Sequence, residues 1–543
     1  MKTLIAAGRA GFDQEGVPKD LMKTSGHEPA GPETCSVPKT IDSFRLRCGA
    51  GRLNMSAAVL ISVFVLLTFL GSRPAQALAA APWDLLPPDY RASTTAVSFA
   101  QTEAFLKAAD GRDPVSVSIE GVSAAGRPLY LVHLGRGKGK WRILFYAQQH
   151  GDEVAGKDAL LYLIRDIARD PALLPADVDL WIMPVINPDG ALAGTRRSAA
   201  GADLNRDHLS LEQPETQTLH RAARRLRPHV AVDCHEFAGD RGDKSWRAWP
   251  VITMDSLNTP LFDARTRARA MGWVESISVL LKRSGRPFLR YWVGGNPPDE
   301  EQRHSAPDID GGLNGLGLYG GFSFIVESNS AMPLGERVDA YSAIFRSILS
   351  GGLRAHGDLA ALDRPDREAL GAFIPTNYLW VNPDARITLF PVIEAATGRT
   401  LEIPTPNMMT ELAVKKSVPA PDAYAVPAPA AGVFAALLER HGISFEVLAS
   451  SRTVLAELSL LERVEDQFDE VYSRYEGRQI VKRRPPSGLE LPSGSLLVTL
   501  RGEDAVRAAL VLEPSQLYGL YQYPRYKALV GPDGICPVWR LVK

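Results

Sequence analysis

The sequence is poor in cysteine and in net charge. Only Cys35, Cys48, Cys234 and Cys536 occur among 543 residues, which excludes a disulfide-rich scaffold. We expect the two that lie beyond the first 77 residues, Cys234 and Cys536, to remain free thiols. The formal net charge is -1, and no basic stretch gives the footprint of a nucleic-acid-binding protein. We therefore expect no nucleic acid among its partners.

Long apolar runs are also scarce. One extends from Ala57 to Leu70, follows three arginines and precedes Ala75-Gln76-Ala77. A charged region, an apolar region and a small-x-small site in this order are typical of a signal peptide. The run is shorter than the ~20 residues that span a bilayer. We predict cleavage near Ala77 and an exported protein, periplasmic or secreted, with no stable membrane partner afterwards. An uncleaved membrane anchor is the alternative.

The rest of the composition is that of a globular protein. Apolar residues make up 45% and charged residues 23%. A chain this long is expected to fold as two or more domains. We predict an N-terminal extension with the signal peptide over residues 1–77, an α/β domain over 82–370, and a small α+β domain of unknown role over 371–543.

Strand-like and helix-like segments alternate between Pro82 and Leu370. Apolar runs predict strands over 142–147, 179–185, 230–233 and 322–326. Helical periodicity predicts helices over 154–168 and 212–226, and another that starts near Gly335. This alternation indicates α/β architecture, with a mixed, largely parallel sheet flanked by helices. In the second region, strands are predicted over 387–393, 496–500 and 509–512, and a helix over 432–440.

Polar motifs follow several of these predicted strands. The order along the chain is His150-Gly151-Asp152-Glu153, Asn187-Pro188-Asp189-Gly190, Arg196-Arg197, Asp203-Leu204-Asn205-Arg206, His235 and Glu327. The second of these motifs has residue types that predict a turn at the end of the preceding strand. The carboxyl ends of parallel strands meet at one edge of a sheet, where such folds bind ligands. A His and a Glu three positions apart on a tight turn can face one cation. Any one of these motifs is weak, but the combination is specific.

In this order the motifs resemble those of the carboxypeptidase A-like zinc carboxypeptidase family, over residues 145–328. The resemblance implies that His150, Glu153 and His235 hold one Zn²⁺ per chain and leave a fourth position open to water. It also implies that Glu327 is the general base, which takes a proton from water and delivers it to the leaving nitrogen.

The resemblance implies further roles for the polar residues between these ligands. Arg196 would stabilise the oxyanion, with Arg197 as a less favoured candidate by its spacing to Asn205. Asn205 and Arg206 would hold the terminal carboxylate of the substrate. Asp203 would orient His150.

The expected reaction is hydrolysis of a C-terminal peptide bond, or of a peptide-like amide, next to a free carboxylate. A cell-wall peptide amidase with the same catalytic residues is one alternative. A catalytically silent zinc-dependent peptide-binding protein is another, although such a protein has no need of a base at Glu327. Two residues, Tyr291 and Tyr319, are candidates for the catalytic tyrosine of the family, and the sequence does not decide between them. The side-chain pocket is expected near Asp308, Asp310 and Gly312.

Two glycine-rich segments resemble nucleotide-binding motifs in residue type but lack the features that such motifs require. Residues 315–320 match a dinucleotide fingerprint but precede a predicted strand, so we expect them to shape the approach to Glu327. Residues 135–140 lack the Ser or Thr of a phosphate-binding loop.

Overall fold

The computed structural model describes residues 82–238, 245–248, 250–295, 297–319, 321–352, 370–469 and 474–543. The predicted signal peptide lies outside these residues. Residues Leu78–Lys543 form one compact unit. Within the described ranges, no helix combines the length and the apolar character that crossing a membrane requires.

The described residues include the following ten α-helices, numbered in chain order. They are α1 (Phe99–Ala109), α2 (Ala155–Arg169), α3 (Pro188–Ala193), α4 (Pro214–Leu226), α5 (Ala264–Arg283), α6 (Gly312–Gly317), α7 (Leu334–Ser347), α8 (Ala428–His441), α9 (Ala505–Leu512) and α10 (Pro524–Lys527).

The strands before residue 370 are β1 (Val115–Val122), β2 (Pro128–Leu134), β3 (Trp141–Ala147), β4 (Val178–Met183), β5 (Val230–Phe237), β6 (Trp246–Ala248), β7 (Ile252–Ser256), β8 (Phe288–Arg290), β9 (Val293–Gly294), β10 (Gln302–Arg303) and β11 (Phe322–Asn329). Eight of them form the main sheet, in the order β1-β2-β4-β3-β5-β11-β7-β8. The central pairs β4-β3, β3-β5 and β5-β11 are parallel. The predicted α/β class with a mixed, largely parallel sheet is therefore confirmed.

Burial on both faces explains why the sequences of these central strands are continuous apolar runs. Every residue of β11 is buried, and β5 is buried except for one intermediate position. Strands covered by helices on both faces lose the alternation of polar and apolar residues. On one face, Phe145 of β3 stacks on Phe345 of α7, with ring centroids 4.8 Å apart.

The strands after residue 370 are β12 (Phe373–Val381), β13 (Thr388–Glu394), β14 (Thr400–Thr405), β15 (Met408–Met409), β16 (Glu411–Pro419), β17 (Ala423–Val426), β18 (Glu446–Val447), β19 (Arg452–Glu457), β20 (Ser459–Asp469), β21 (Arg474–Arg483), β22 (Ser487–Leu491), β23 (Leu496–Thr499) and β24 (Trp539–Leu541). Six of these form a sheet in the order β18-β23-β17-β24-β19-β22. The mixture of helices and strands matches the predicted α+β character.

Strands after residue 370 also pair with strands before it. β13 pairs with β6, and β15 pairs in parallel with β10, which itself pairs with β9. A shared apolar cluster joins Leu209 and Leu318 to Phe434 and Tyr521. The region after residue 370 is therefore built onto the elements that precede it.

Two local predictions were wrong. The predicted strand over 509–512 lies within α9, because a short buried apolar run has the same pattern in a strand and in a helix. The predicted turn Asn187–Gly190 is the start of α3, where the Asn187 side chain accepts a hydrogen bond from the Gly190 N–H. Cys234 and Cys536 are free thiols, as predicted, and both are buried.

The glycine-rich loop over 135–140 binds an internal carboxylate. The N–H groups of Gly137 and Gly139 donate to Asp179 over 2.9 and 2.6 Å, and His133 Nε2 lies 3.1 Å from the same carboxylate. A Cβ at Gly135 would lie 2.4 Å from Asp179 Oδ1. Glycine is required here because the loop folds tightly around its own acid.

A buried ion pair in the second region generates a stability prediction. Arg540 and Glu513 are both fully buried and lie 3.0 Å apart. Arg540→Ala leaves the Glu513 carboxylate without its cation, so we expect about 3–5 kcal/mol less free energy of unfolding. Urea denaturation measures the loss. Lys543→Ala is the control, since this side chain is 92% exposed and its pair with Asp422 lies on the surface. Equal midpoints for both variants would contradict the expectation.

Candidate metal centre and its cavity

Three side chains from two strand ends converge on one point. His150 Nδ1 lies 2.7 Å from Glu153 Oε1, and His235 Nδ1 lies 2.8 Å from Glu153 Oε2. The two Nδ1 atoms are 3.1 Å apart. These three residues are a group that could hold a metal ion, with one ligand atom each within 4.8 Å of the others. They are the three residues that the resemblance implies as zinc ligands.

Carboxylates on the far side of each imidazole fix its orientation. His150 Nε2 lies 3.1 Å from Asp203 Oδ1, and His235 Nε2 lies 3.0 Å from Asp233 Oδ1. A carboxylate oxygen next to each Nε2 favours a hydrogen on that nitrogen, which leaves the lone pair at Nδ1, toward Glu153. The amide nitrogens of Gln149 and Asn205 also lie 3.4 and 3.3 Å from His235 Nε2. Two imidazoles backed by carboxylates, together with one further carboxylate, are a donor set that suits Zn²⁺. The residues therefore fit the metal that the resemblance implies.

The register of the central strands places Glu327 beside this group. Glu327 of β11 pairs with His235 of β5 in the parallel ladder. Its carboxyl group lines the same cavity as His150 and Glu153. Burial raises the pKa of Glu327 to about 7, although the neighbouring His235 opposes this shift. A carboxylate with a raised pKa is suited to exchange protons near neutral pH.

Of the two tyrosines left open by the sequence, only Tyr291 reaches the cavity. Its ring lines the cavity wall, and its hydroxyl is hydrogen bonded to Glu327. The Tyr319 hydroxyl instead lies 2.6 Å from His220 Nδ1, and its ring does not line the cavity. The position of the catalytic tyrosine of the family is therefore better matched by Tyr291.

Arg196 faces the metal group, whereas Arg197 faces away. The Arg196 guanidinium donates to Asp203 Oδ2 over 2.9 and 3.2 Å, and its Nη1 is 3.4 Å from Glu153 Oε1. Arg197 is exposed and donates to the Gly201 carbonyl. This arrangement agrees with the preference for Arg196 as the cation next to the reacting group.

Asn205 and Arg206 both line the cavity, but they are held differently. Asn205 Oδ1 accepts a 2.7 Å hydrogen bond from the Gly312 N–H, so part of this amide is committed to the fold. The backbone carbonyl of Arg206 accepts a 3.0 Å hydrogen bond from the Tyr523 hydroxyl. Tyr523 belongs to the second region, which thus supports the predicted carboxylate-binding segment.

The Asn187–Gly190 motif joins the histidine turn to the arginine loop. Asn187 Nδ2 donates to the carbonyl groups of Gln149 and Arg196, over 3.1 and 3.2 Å. Gly151 packs so closely on Gly190 that a Cβ on Gly151 would lie 2.0 Å from the Gly190 carbonyl carbon. The motif is thus structural, and it fixes the spacing between His150 and Arg196.

The cavity has a volume of about 90 Å³, and its remaining wall carries charges of both signs. Asp308, Asp310 and Gly312 line it, as the sequence predicts, and Arg303 of β10 lines it as well. Sequence reasoning missed Arg303, which follows no apolar strand and belongs to no motif. With both signs present, the wall favours no single class of substrate side chain.

Sequence reasoning also missed Asp233 and Glu236. Asp233 lies two positions before His235, so the two share one face of β5, and this spacing was an available signal. Glu236 accepts a hydrogen bond from the Ala155 N–H at the start of α2 and pairs with Arg337. Burial raises the pKa of Glu236 to about 7, while Arg337 lowers it. Nothing in the local sequence marks that contact.

Comparison with known proteins finds one matching family profile. Residues 102–231 match the family profile described as zinc carboxypeptidase. The matched segment contains His150, Glu153, Arg196, Asn205 and Arg206, and it ends before His235 and Glu327.

Similar proteins are carboxypeptidases. Carboxypeptidase 2 of Trichophyton tonsurans is 24% identical over 413 residues, covering 70% of this chain and 72% of the relative. Carboxypeptidase 2 of Trichophyton rubrum is 35% identical over 105 residues, covering 19% of this chain and 20% of the relative. A metallo-carboxypeptidase structure from Burkholderia cenocepacia has a TM-score of 0.38 at 23% identity and covers 48% of this chain and 70% of its own. The profile match and the carboxypeptidase relatives agree with the resemblance to zinc carboxypeptidases that the motifs indicate.

Proposed function

We propose that this chain is a zinc-dependent metallocarboxypeptidase that hydrolyses the C-terminal peptide bond, or a peptide-like amide, of a substrate with a free carboxylate. The observation that carries the proposal is the convergence of His150, Glu153 and His235 on one point. Two of these residues, His150 and Glu153, line a cavity that Glu327 and Arg206 also line. A metal site, a base and a cation for the substrate terminus are thus present within one cavity.

The first role concerns the reacting bond. When bound to His150, Glu153 and His235, a zinc ion supplies Lewis acidity that polarises a carbonyl group and makes water more acidic. Glu327 accepts the proton of the attacking water and later donates it to the leaving nitrogen. The Arg196 guanidinium, held by Asp203, donates hydrogen bonds to the oxyanion that develops on the carbonyl oxygen.

The second role concerns the end of the substrate. Arg206 presents a guanidinium to the cavity, and a planar guanidinium matches a carboxylate well. Binding the terminal carboxylate there places the last amide bond next to Glu327 and the metal ligands. This positioning supports a carboxypeptidase over a cell-wall amidase that cleaves without regard to the chain end.

The first prediction concerns the metal. We expect one zinc per purified chain, and loss of zinc in His150→Ala, Glu153→Ala and His235→Ala, because each substitution removes one of three ligands. Elemental analysis after dialysis measures the content. Asp152→Ala is the matched control, since Asp152 lies in the same turn but is exposed and outside the ligand group. Stoichiometric zinc in the His235→Ala protein would show that the ligand assignment is wrong.

The second prediction concerns the base. Glu327→Gln keeps the shape of the side chain but removes its proton acceptor, so turnover should fall by about 10²–10⁴ while zinc is retained. Peptide hydrolysis and zinc content are measured on the same preparation. Glu336→Gln, at an exposed position of α7, should retain full turnover. Normal turnover in Glu327→Gln would rule out this base. Full zinc content without any wild-type hydrolysis would favour a silent binding protein.

The third prediction separates a carboxypeptidase from a general amidase. A hydrogen bond to a charged group contributes about 1.5–3 kcal/mol, so Arg206→Ala should lower kcat/KM for an acid substrate by roughly ten- to over a hundred-fold. The C-terminal amide of the same peptide should be affected little. Arg197→Ala is the control, because this arginine is exposed and outside the cavity. Equal cleavage of acid and amide by the wild type, with equal losses in Arg206→Ala, would indicate an amidase.

A further inference from the structure

A chain of buried polar side chains runs behind the metal ligands, and the catalytic proposal leaves it unused. The Tyr319 hydroxyl lies 2.6 Å from His220 Nδ1, and His220 Nε2 lies 2.9 Å from His208 Nδ1. His208 Nε2 lies 2.8 Å from Gln149 Oε1, and Gln149 Nε2 lies 2.8 Å from Asp233 Oδ2. The other oxygen of Asp233 contacts His235 at 3.0 Å.

The chemistry of the last acceptor sets the direction of every hydrogen bond in this chain. A carboxylate only accepts, so Gln149 turns its amide nitrogen to Asp233 and its oxygen to His208. His208 must then carry its hydrogen on Nε2, which leaves Nδ1 as an acceptor for the Nε2–H of His220. The remaining acceptor, His220 Nδ1, takes the hydrogen of the Tyr319 hydroxyl. Both imidazoles are thereby assigned as neutral Nε2–H tautomers.

Burial agrees with neutral imidazoles. His208 and His220 are fully buried. Burial lowers the pKa of His208 to about 4 and holds the pKa of His220 well below its usual value. A second proton on His208 would also point its Nδ1–H at the Nε2–H of His220. The direction of the chain is therefore stable at neutral pH.

Two glycines of α6 close the space around this chain. A Cβ at Gly312 would lie 2.3 Å from Asp233 Oδ2 and 3.0 Å from Gln149 Nε2. A Cβ at Gly315 would lie 2.7 Å from His208 Cβ. The two glycines thus let α6 pack directly on the hydrogen-bonded side chains, and Gly315 belongs to the segment 315–320 that matches a dinucleotide motif in sequence only.

The second region covers the far end of the chain. The Arg507 guanidinium lies 5.5 Å above the Tyr319 ring. The His441 ring stands edge-on to His220, with centroids 5.9 Å apart, and its Nε2 donates to the Leu209 carbonyl over 2.8 Å. The hydrogen-bonded chain therefore connects residues packed against the second region with a predicted zinc ligand.

We propose that Gln149, His208 and His220 are positioning residues for the metal centre. They hold Asp233 in place, and Asp233 holds the His235 ring with its Nε2–H toward the carboxylate and its Nδ1 lone pair toward the metal. This inference rests on the proposed zinc-dependent function. Residues behind a metal ligand commonly change metal affinity by about 10–100-fold when removed. None of the three touches the reacting atoms.

The first measurement is zinc affinity, by competition with a chelator. We expect Gln149→Leu and His208→Leu to bind zinc about 10–100-fold more weakly than the wild type. His208→Gln should recover part of the loss, because its amide can again donate to Gln149 Oε1. His229→Leu is the matched control: His229 is also buried, but it accepts from the Arg142 N–H and precedes β5 at the opposite end from His235. It should bind zinc as the wild type does.

The second measurement needs neither metal nor substrate. In protein with ¹⁵N-labelled histidine, the nitrogen chemical shifts should report neutral Nε2–H tautomers for both His208 and His220, assigned through the single-residue variants. An Nδ1–H tautomer at either residue overturns the assigned chain. If the wild type holds zinc and the two leucine variants bind it as tightly as His229→Leu, the positioning role is wrong. If the wild type holds no zinc, the proposed function itself fails.

Discussion

The site depends first on the register of three parallel strands. In this register Glu327 of β11 is paired with His235 of β5, and Cys234 of β5 with Ala147 at the end of β3, directly before the His150 turn. Because side chains alternate along a strand, a slip of one residue would turn Glu327 to the opposite face of the sheet. The Tyr341 hydroxyl of α7 lies within hydrogen-bond distance of the backbone carbonyls of both His235 and Val326, and its single hydrogen is shared between the two strands at this point.

A second constraint is that the backbone must come very close to itself around the metal group. Gly151 against Gly190, and Gly312 against Asp233, leave no space for a side chain. Each of these glycines lies within or next to one of the polar motifs, so some residues of the motifs serve backbone packing and not chemistry. The same applies to Asn187, which uses its amide to join the histidine turn to the arginine loop. The geometry of the candidate site is therefore fixed by packed backbone as much as by side-chain contacts.

The region after residue 370 is in contact with the cavity elements, although its sequence contains no catalytic motif. β15 pairs with β10, which carries the cavity residue Arg303, and Tyr523 supports the backbone of Arg206. Arg507 packs on Tyr319, at the start of the buried hydrogen-bonded chain. Because these contacts link residues far apart in sequence, the region contributes to the form of the site even though it provides none of its metal ligands.

The sequence by itself determined the class of the main sheet. Its resemblance to zinc carboxypeptidases implied the three residues that converge as a candidate metal group, and they meet because the carboxyl ends of parallel strands share one edge. Export remains a prediction of the sequence. Tertiary structure alone decided that Arg196 and not Arg197 faces the metal group, and that Tyr291 and not Tyr319 reaches the cavity. It also decided the direction of the chain from Tyr319 to Asp233. The local sequence pattern indicates which face of a helix or strand is apolar. The orientation of these polar side chains depends instead on contacts with distant segments, which meet only after folding.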